Sequence, residues 1–263
     1  IIAIWSYSIL DISDRYILER LTDMESVGVY SLGYKLAQMP MFIVLGARQM
    51  WNPLFYENMN KAQYGTISRL TELYIASICF VNMAVILFSK ELVLLFINER
   101  YFASIPVIGF VVLGVFCSAM LTISNAILGY RKLFSTTSVI ALLSALTNIG
   151  LNFLFIPKYG IIAAALTTAF SYFIYLVLGL FLVRNDLKRL KFLRTLVFSA
   201  VSLVLAYGLT TIFSLSELSL TEVAIKTLYM FLFITSIYWL KVLRRNDIAN
   251  VVSLVKSRFG RTY

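Results

Sequence analysis

Long apolar runs separated by short polar clusters set the rhythm of this chain from its first residue to about residue 240. About eight runs stand out, over 1–16, 27–51, 67–88, 105–128, 134–156, 161–183, 196–213 and 223–240. An α-helix needs about 20 such residues to cross the roughly 30 Å hydrocarbon core of a bilayer. Strands of a membrane β-barrel would read instead as alternating stretches of about 10 residues. The expectation is an all-α, polytopic transmembrane helical bundle of about eight membrane helices. The stretch 90–102, KELVLLFINERYF, is too short and too charged to span and is expected at the interface. In the basic tail, Ile248, Val251, Val252, Val255 and Phe259 share one helical face. Two readings stay open there, an amphipathic helix on an anionic leaflet and a solvated tail.

Composition agrees with the pattern. Of 263 residues, 60% are hydrophobic and 14% charged, where a soluble domain carries about 25% charged residues. Both cysteines, Cys79 and Cys117, lie inside apolar runs, which argues against a disulfide framework. The absence of histidine removes imidazole as metal ligand, base or proton relay. No Gly-rich phosphate loop, metal-ligand spacing or nucleophile with a base is legible, so no cofactor and no metal is expected and an enzyme is the weaker class. The opening IIAIWSYSIL lacks both Met and a signal-type charge pattern, which reads as the C-terminal part of a longer protein.

Charge adds orientation. The 23 Lys and Arg outnumber the 13 Asp and Glu. One set of alternate loops holds most of them, including Lys61, Arg69, Arg131, Lys132, the cluster Arg184 to Arg194, Lys241 and the tail. The other set holds only Arg15, Arg20, Lys90, Arg100, Lys158 and Lys226. The positive-inside rule assigns the first set, and with it both ends of the chain, to the cytoplasm. A multi-pass protein of the cytoplasmic (inner) membrane is expected, with no nucleic-acid partner.

Ionisable groups inside membrane helices cost about 2.5–3.5 kcal/mol each on insertion scales and mark candidate sites. Asp11, Asp14 and Arg15 fall at i, i+3 and i+4. Two readings stand: a structural ion pair at the outer boundary, or an ion-coupling site. In the second run Ser31, Lys35, Gln38, Gln49 and Asn52 form one polar stripe, and Pro40 is expected to kink the helix. Such a stripe suits the wall of a water-filled cavity, with Lys35 as its cation; the alternative is that Lys35 snorkels to the interface. Arg48 lies about 80° off that stripe on a continuous helix. Asn82, Asn125, Asn148 and Asn152 read as hydrogen-bonding glue between helices.

The run DISDRYILERLTDMESVGVYSLGYKLAQMP resembles the junction that opens the second half of polysaccharide-exporting flippases. There an Asp-Arg-Tyr-x-Leu run precedes an acidic loop and a Val-Gly-x-Tyr helix start, matched here by Asp14, Arg15, Tyr16 and Leu18, then Gly28 and Tyr30. WNPLFYENMN, NERYFASIPVIGFVVLG and LNFLFIPKYGIIAAALTTAFSY are similar to later helices of that family.

The resemblance implies a member of the multidrug/oligosaccharidyl-lipid/polysaccharide exporter superfamily, two six-helix lobes around a cavity. By that plan 1–183 is the second lobe, 184–243 two additional helices and 244–263 a basic tail, and this portion alone is not expected to transport. The implied function is translocation of undecaprenyl-pyrophosphate-linked oligosaccharide by alternating access, for O-antigen, capsule or exopolysaccharide. Implied partners are the bilayer, the lipid-linked oligosaccharide, and polysaccharide polymerase and chain-length machinery. A pyrophosphate needs cations, with Lys35 first and Arg48 and Arg15 behind it, while Gln38, Gln49 and Asn52 suit sugar hydroxyls. Two alternatives remain, an ion-coupled multidrug exporter and a non-transporting scaffold for polysaccharide assembly.

Overall fold

A computed structural model describes residues 2–212 and 219–242, and side chains from residue 12 onward. The described residues are helical with no strand, an all-α bundle as the hydropathy pattern requires. The helices are α1 (Ile2–Leu21), α2 (Met24–Ala37), α3 (Pro40–Asn60), α4 (Tyr64–Leu87), α5 (Ser89–Phe96) and α6 (Ile105–Tyr130). A 3₁₀ turn, Glu99–Ser104, leads into α6. There follow α7 (Phe134–Leu182), the single turn α8 (Arg184–Leu187), α9 (Leu193–Ile212) and α10 (Leu220–Trp239). Among them 5 helical stretches, α4, the 3₁₀ turn with α6, α7, α9 and α10, are long and apolar enough to cross a membrane. The basic tail lies outside the described residues.

The run 27–51 is interrupted where Pro40 is expected to disturb it: α2 stops at Ala37 and α3 begins at Pro40, while Gln38 and Met39 between them keep right-handed helical angles. Proline has no N–H to donate back and fits best in the first turn of a helix, so the chain restarts there. Met39 N–H reaches Leu36 O at 3.1 Å and Met41 N–H reaches Gln38 O at 2.8 Å across the break. α3 then runs on to Asn60, well past residue 51.

By contrast α7 is two helices in one. Gly160 has φ +56°, ψ −136°, a left-handed region that glycine enters without a Cβ clash, three residues after Pro157. Asn152 and Thr167 hydrogen-bond across the bend although they stand 15 residues apart, which on a straight helix would be about 22 Å. The arms therefore lie antiparallel, as the separate runs 134–156 and 161–183 lead one to expect.

α6 forms the middle of the bundle. Helices apolar on all sides belong inside, and Ile108, Val112, Met120 and Ile127 are fully buried. It packs on both α7 and α4 and receives α2 and α3; α1 lies along α7, and α9 along α4. Glycines allow α6 to approach α9 and α7 closely: a Cβ on Gly109 would stand 2.2 Å from the Tyr207 ring, and one on Gly114 3.1 Å from the Ala169 Cα.

The two loop-charge sets gather at opposite ends. Arg131 pairs with Asp186 at 2.6 Å, Arg69 donates to the Lys241 carbonyl at 2.6 Å, and Lys191 N–H reaches Ser68 Oγ at 3.3 Å. At the other end Arg100 pairs with Glu25 at 3.1 Å and Lys90 with Glu222 at 2.8 Å. At the first end α3, α6 and α10 close with the same paired hydrogen bonds, 6→1 and 5→2, around Ala62, Lys132 and Lys241 at positive φ, the Schellman arrangement.

Candidate functional site

Two features meet on α2. The first is a cleft of about 430 Å³ lined by Tyr34, Gln38, Met41 and Arg48 on one side and by Val115, Ser118, Leu121, Thr122, Asn125 and Tyr172 on the other. The lining combines one arginine, the amides of Gln38 and Asn125 and the hydroxyls of Ser118 and Thr122 with apolar and aromatic side chains. A guanidinium offers five N–H donors in a fixed fork that matches phosphate oxygens. Amides and hydroxyls supply the bonds a sugar needs, and tyrosine rings supply flat surfaces. Gln38 at the end of α2 and Arg48 on α3 both line the cleft, although the two stand about 80° apart by ideal helical geometry.

The stripe expected from the sequence is therefore divided. Gln38, half-buried, and Arg48, exposed, line the cleft. Lys35 is exposed on α2, Gln49 is exposed on α3, and Ser31 and Asn52 are half-buried, all outside the cleft lining. Arg15 is half-buried with its guanidinium 4.7 Å from the centre of the Tyr34 ring, a cation–π contact on the back of a cleft residue.

The second feature is a buried polar network. Asp14 is fully buried; its Oδ2 accepts from the Tyr30 hydroxyl and from Thr168 Oγ1, the latter at 3.0 Å. Asn148 donates to Thr168 at 3.3 Å and accepts from Ser13 at 3.0 Å. Asn152 donates to Asn148 at 3.1 Å, and Thr167 donates to Asn152. Seven side chains from α1, α2 and both arms of α7 thus share one hydrogen-bonded cluster. Tyr30 leads from it toward the cleft, its ring 5.7 Å from that of Tyr34.

Of the Asp11, Asp14 and Arg15 face, the structure describes the last two, and the pairing of Arg15 with Asp11 falls outside the described residues. Consecutive helical residues point about 100° apart. With Asp14 turned fully inward, Arg15 turns to Tyr34, and hydroxyls rather than a guanidinium hold the carboxylate. The Asp11 side chain lies outside the described residues. Asn148 and Asn152 do join helices, whereas Asn82 donates to Ile78 O of its own helix at 2.8 Å.

Sequence reasoning missed the partners of Asp14. Tyr30 stood in the quoted motif, but nothing local announced that it reaches back to Asp14, and Thr168 is 154 residues away. Among the described residues no group of three or more Asp, Glu, Cys or His gathers as a metal site. Compared with protein-family models and with curated proteins, the chain matches none. The five apolar spans make it a multi-pass membrane protein in contact with lipid.

Proposed function

We propose that the chain forms part of a flippase that carries an undecaprenyl-pyrophosphate-linked oligosaccharide across the cytoplasmic membrane for surface polysaccharide synthesis. It acts by alternating access and without enzymatic chemistry. The observation that carries this reading is Arg48 in a cleft opposite Ser118, Thr122 and Asn125. A diphosphate leaving water loses many kcal/mol unless a cation and hydrogen-bond donors replace its hydration. Arg48 supplies the charge, Gln38 and Asn125 bind sugar, and Tyr34 and Tyr172 bracket the rings. Lys35 and Arg15 add positive charge beside the cleft, and Gln49 and Asn52 extend the polar surface of α3. The isoprenoid stays in lipid.

A second reading, an ion-coupled drug exporter, draws on one feature. Asp14 Oδ1 is buried and has no hydrogen-bond partner among the described residues, which suits a carboxylate that takes up a proton or small cation. Reconstitution of the full-length protein in vesicles separates the two. The flippase translocates a fluorescent undecaprenyl-pyrophosphate-linked sugar and ignores cationic dyes; dye efflux without lipid translocation supports the exporter. Neither activity, together with restored polysaccharide in a deficient strain, supports a scaffold.

A further inference from the structure

α10 is held to the bundle in an unusual way. Of its 20 residues only Lys226, Phe233 and Ile237 are buried, so apolar packing contributes little to its seat. Lys90, at the start of α5, pairs with Glu222 at 2.8 Å, and the neighbouring Glu91 pairs with Lys226. Lys90, Glu91 and Lys226 are all buried. Glu222 and Lys226 are one helical turn apart and present both charges to α5 together. Phe233 stacks on Phe198 of α9 with ring centres 5.8 Å apart, and the Tyr229 hydroxyl donates to Ser202 O at 2.8 Å, so α10 touches α9 while its backbone packs on α4.

From α5 the contacts continue toward the cleft. α5 packs on the 3₁₀ turn Glu99–Ser104, and that turn packs on α2. Arg100 pairs with Glu25 at the head of α2. A Cβ on Gly33 would stand 3.0 Å from the Ser104 carbonyl oxygen and 3.1 Å from Ser104 Cβ and Val107 Cγ1, so α2 lies close against the turn and the start of α6. Gly33 directly precedes Tyr34, a cleft residue. We infer that Lys90, Glu91, Glu222 and Lys226 form a four-charge clamp, three of its members buried, that couples the docking of α10 to the position of α2, and so to the shape of the cleft. The clamp is a positioning device and does not depend on what the cleft binds.

The test uses the full-length protein with Cys79 and Cys117 replaced. Spin labels at Leu95→Cys and Leu228→Cys report whether α10 sits on α5. In a separate protein, the labelling rate of Gln38→Cys by a water-soluble thiol reagent reports the cleft. Glu91→Lys or Lys226→Glu alone brings two like charges together. Each is expected to lengthen the 95–228 distance and change the labelling rate by about fivefold or more. Combining Glu91→Lys with Lys226→Glu restores both readouts. If the reversals do not accumulate in the membrane, Glu222→Gln, which discharges only the less buried pair, moves both readouts in the same directions. A lengthened distance with unchanged labelling at position 38 overturns the coupling. Failure of the combined swap to restore either readout, or no movement in either, overturns the clamp.

Discussion

The hydroxyl of Tyr30 donates its hydrogen bond to the carboxylate of Asp14, 16 residues earlier and across the turn that joins α1 to α2. Both side chains are fully buried. Two residues that the sequence shows only as parts of neighbouring motifs are thus one structural unit, closed on its far side by Thr168. A carboxylate at this depth stays only where donors replace water, so the pair fixes the angle between α1 and α2 and with it the seat of Tyr34.

Removing the phenol exposes that dependence. Tyr30→Phe keeps the ring and deletes one donor to a buried acceptor, with an expected loss of about 1–3 kcal/mol. Asp14→Asn keeps size and an acceptor oxygen and loses less. Thermal unfolding in detergent measures both; an unchanged midpoint for Tyr30→Phe contradicts the role of the pair.

At the α7 bend the expected effects have opposite signs for the same substitution. Gly160→Ala forces a Cβ into the left-handed region at φ +56° and costs about 1–3 kcal/mol. Gly150→Ala, at a site in the first arm where an added Cβ meets nothing within 4 Å, gains about 0.5–1 kcal/mol of helix propensity. Unfolding midpoints that move together would argue against the hairpin.

Asp23 gives a pH dependence. Its carboxylate accepts from Ser26 N–H at 2.8 Å and from the Ser26 hydroxyl at 2.9 Å, and these bonds hold its pKa below the usual value of 3.8. The sign follows: a depressed folded pKa gives a stabilising cap that is complete above pH 3.8 and lost as pH falls through the folded value. Amide exchange at Ser26 is expected to accelerate on acidification through that window, and to be fast and flat with pH apart from the intrinsic rate in Asp23→Ala.

How far the sequence could be read follows from the range of each interaction. The runs that became α4, α6, both arms of α7, α9 and α10 were legible because helix-length apolarity is local. The α2–α3 break was half legible: Pro40 announced a disturbance, but helical geometry carried straight through residues 38 and 39 joined Lys35 to Gln49 and left Arg48 aside. In the structure Gln38 and Arg48 line the cleft, whereas Lys35 and Gln49 do not. The clamp was invisible because Lys90 and Glu91 find their partners 132 and 135 residues away; read singly, they were loop charges. Glu222 and Lys226 one turn apart in an apolar helix were the only local trace.

Orientation has its own test. The basic end, with Arg131–Asp186 and Arg69–Lys241 in contact, is expected to face the cytoplasm. Lys188→Cys in the full-length protein should resist an impermeant thiol reagent added to intact cells and react after permeabilisation. Labelling from outside intact cells reverses the topology.

The central claim is that Arg48 supplies the charge for a diphosphate headgroup in the cleft beside Gln38 and Asn125. The most direct measurement is export of surface polysaccharide by position-48 variants of the full-length protein in a flippase-deficient strain, with membrane abundance followed in parallel. Arg48→Lys keeps the charge and is expected to retain most export. Arg48→Gln should lower it by about tenfold or more, since a charge-assisted hydrogen bond to phosphate is worth about 1.5–3 kcal/mol. Arg48→Glu should abolish it at normal abundance. Full export by Arg48→Glu, with the protein present at parental levels, would contradict the account.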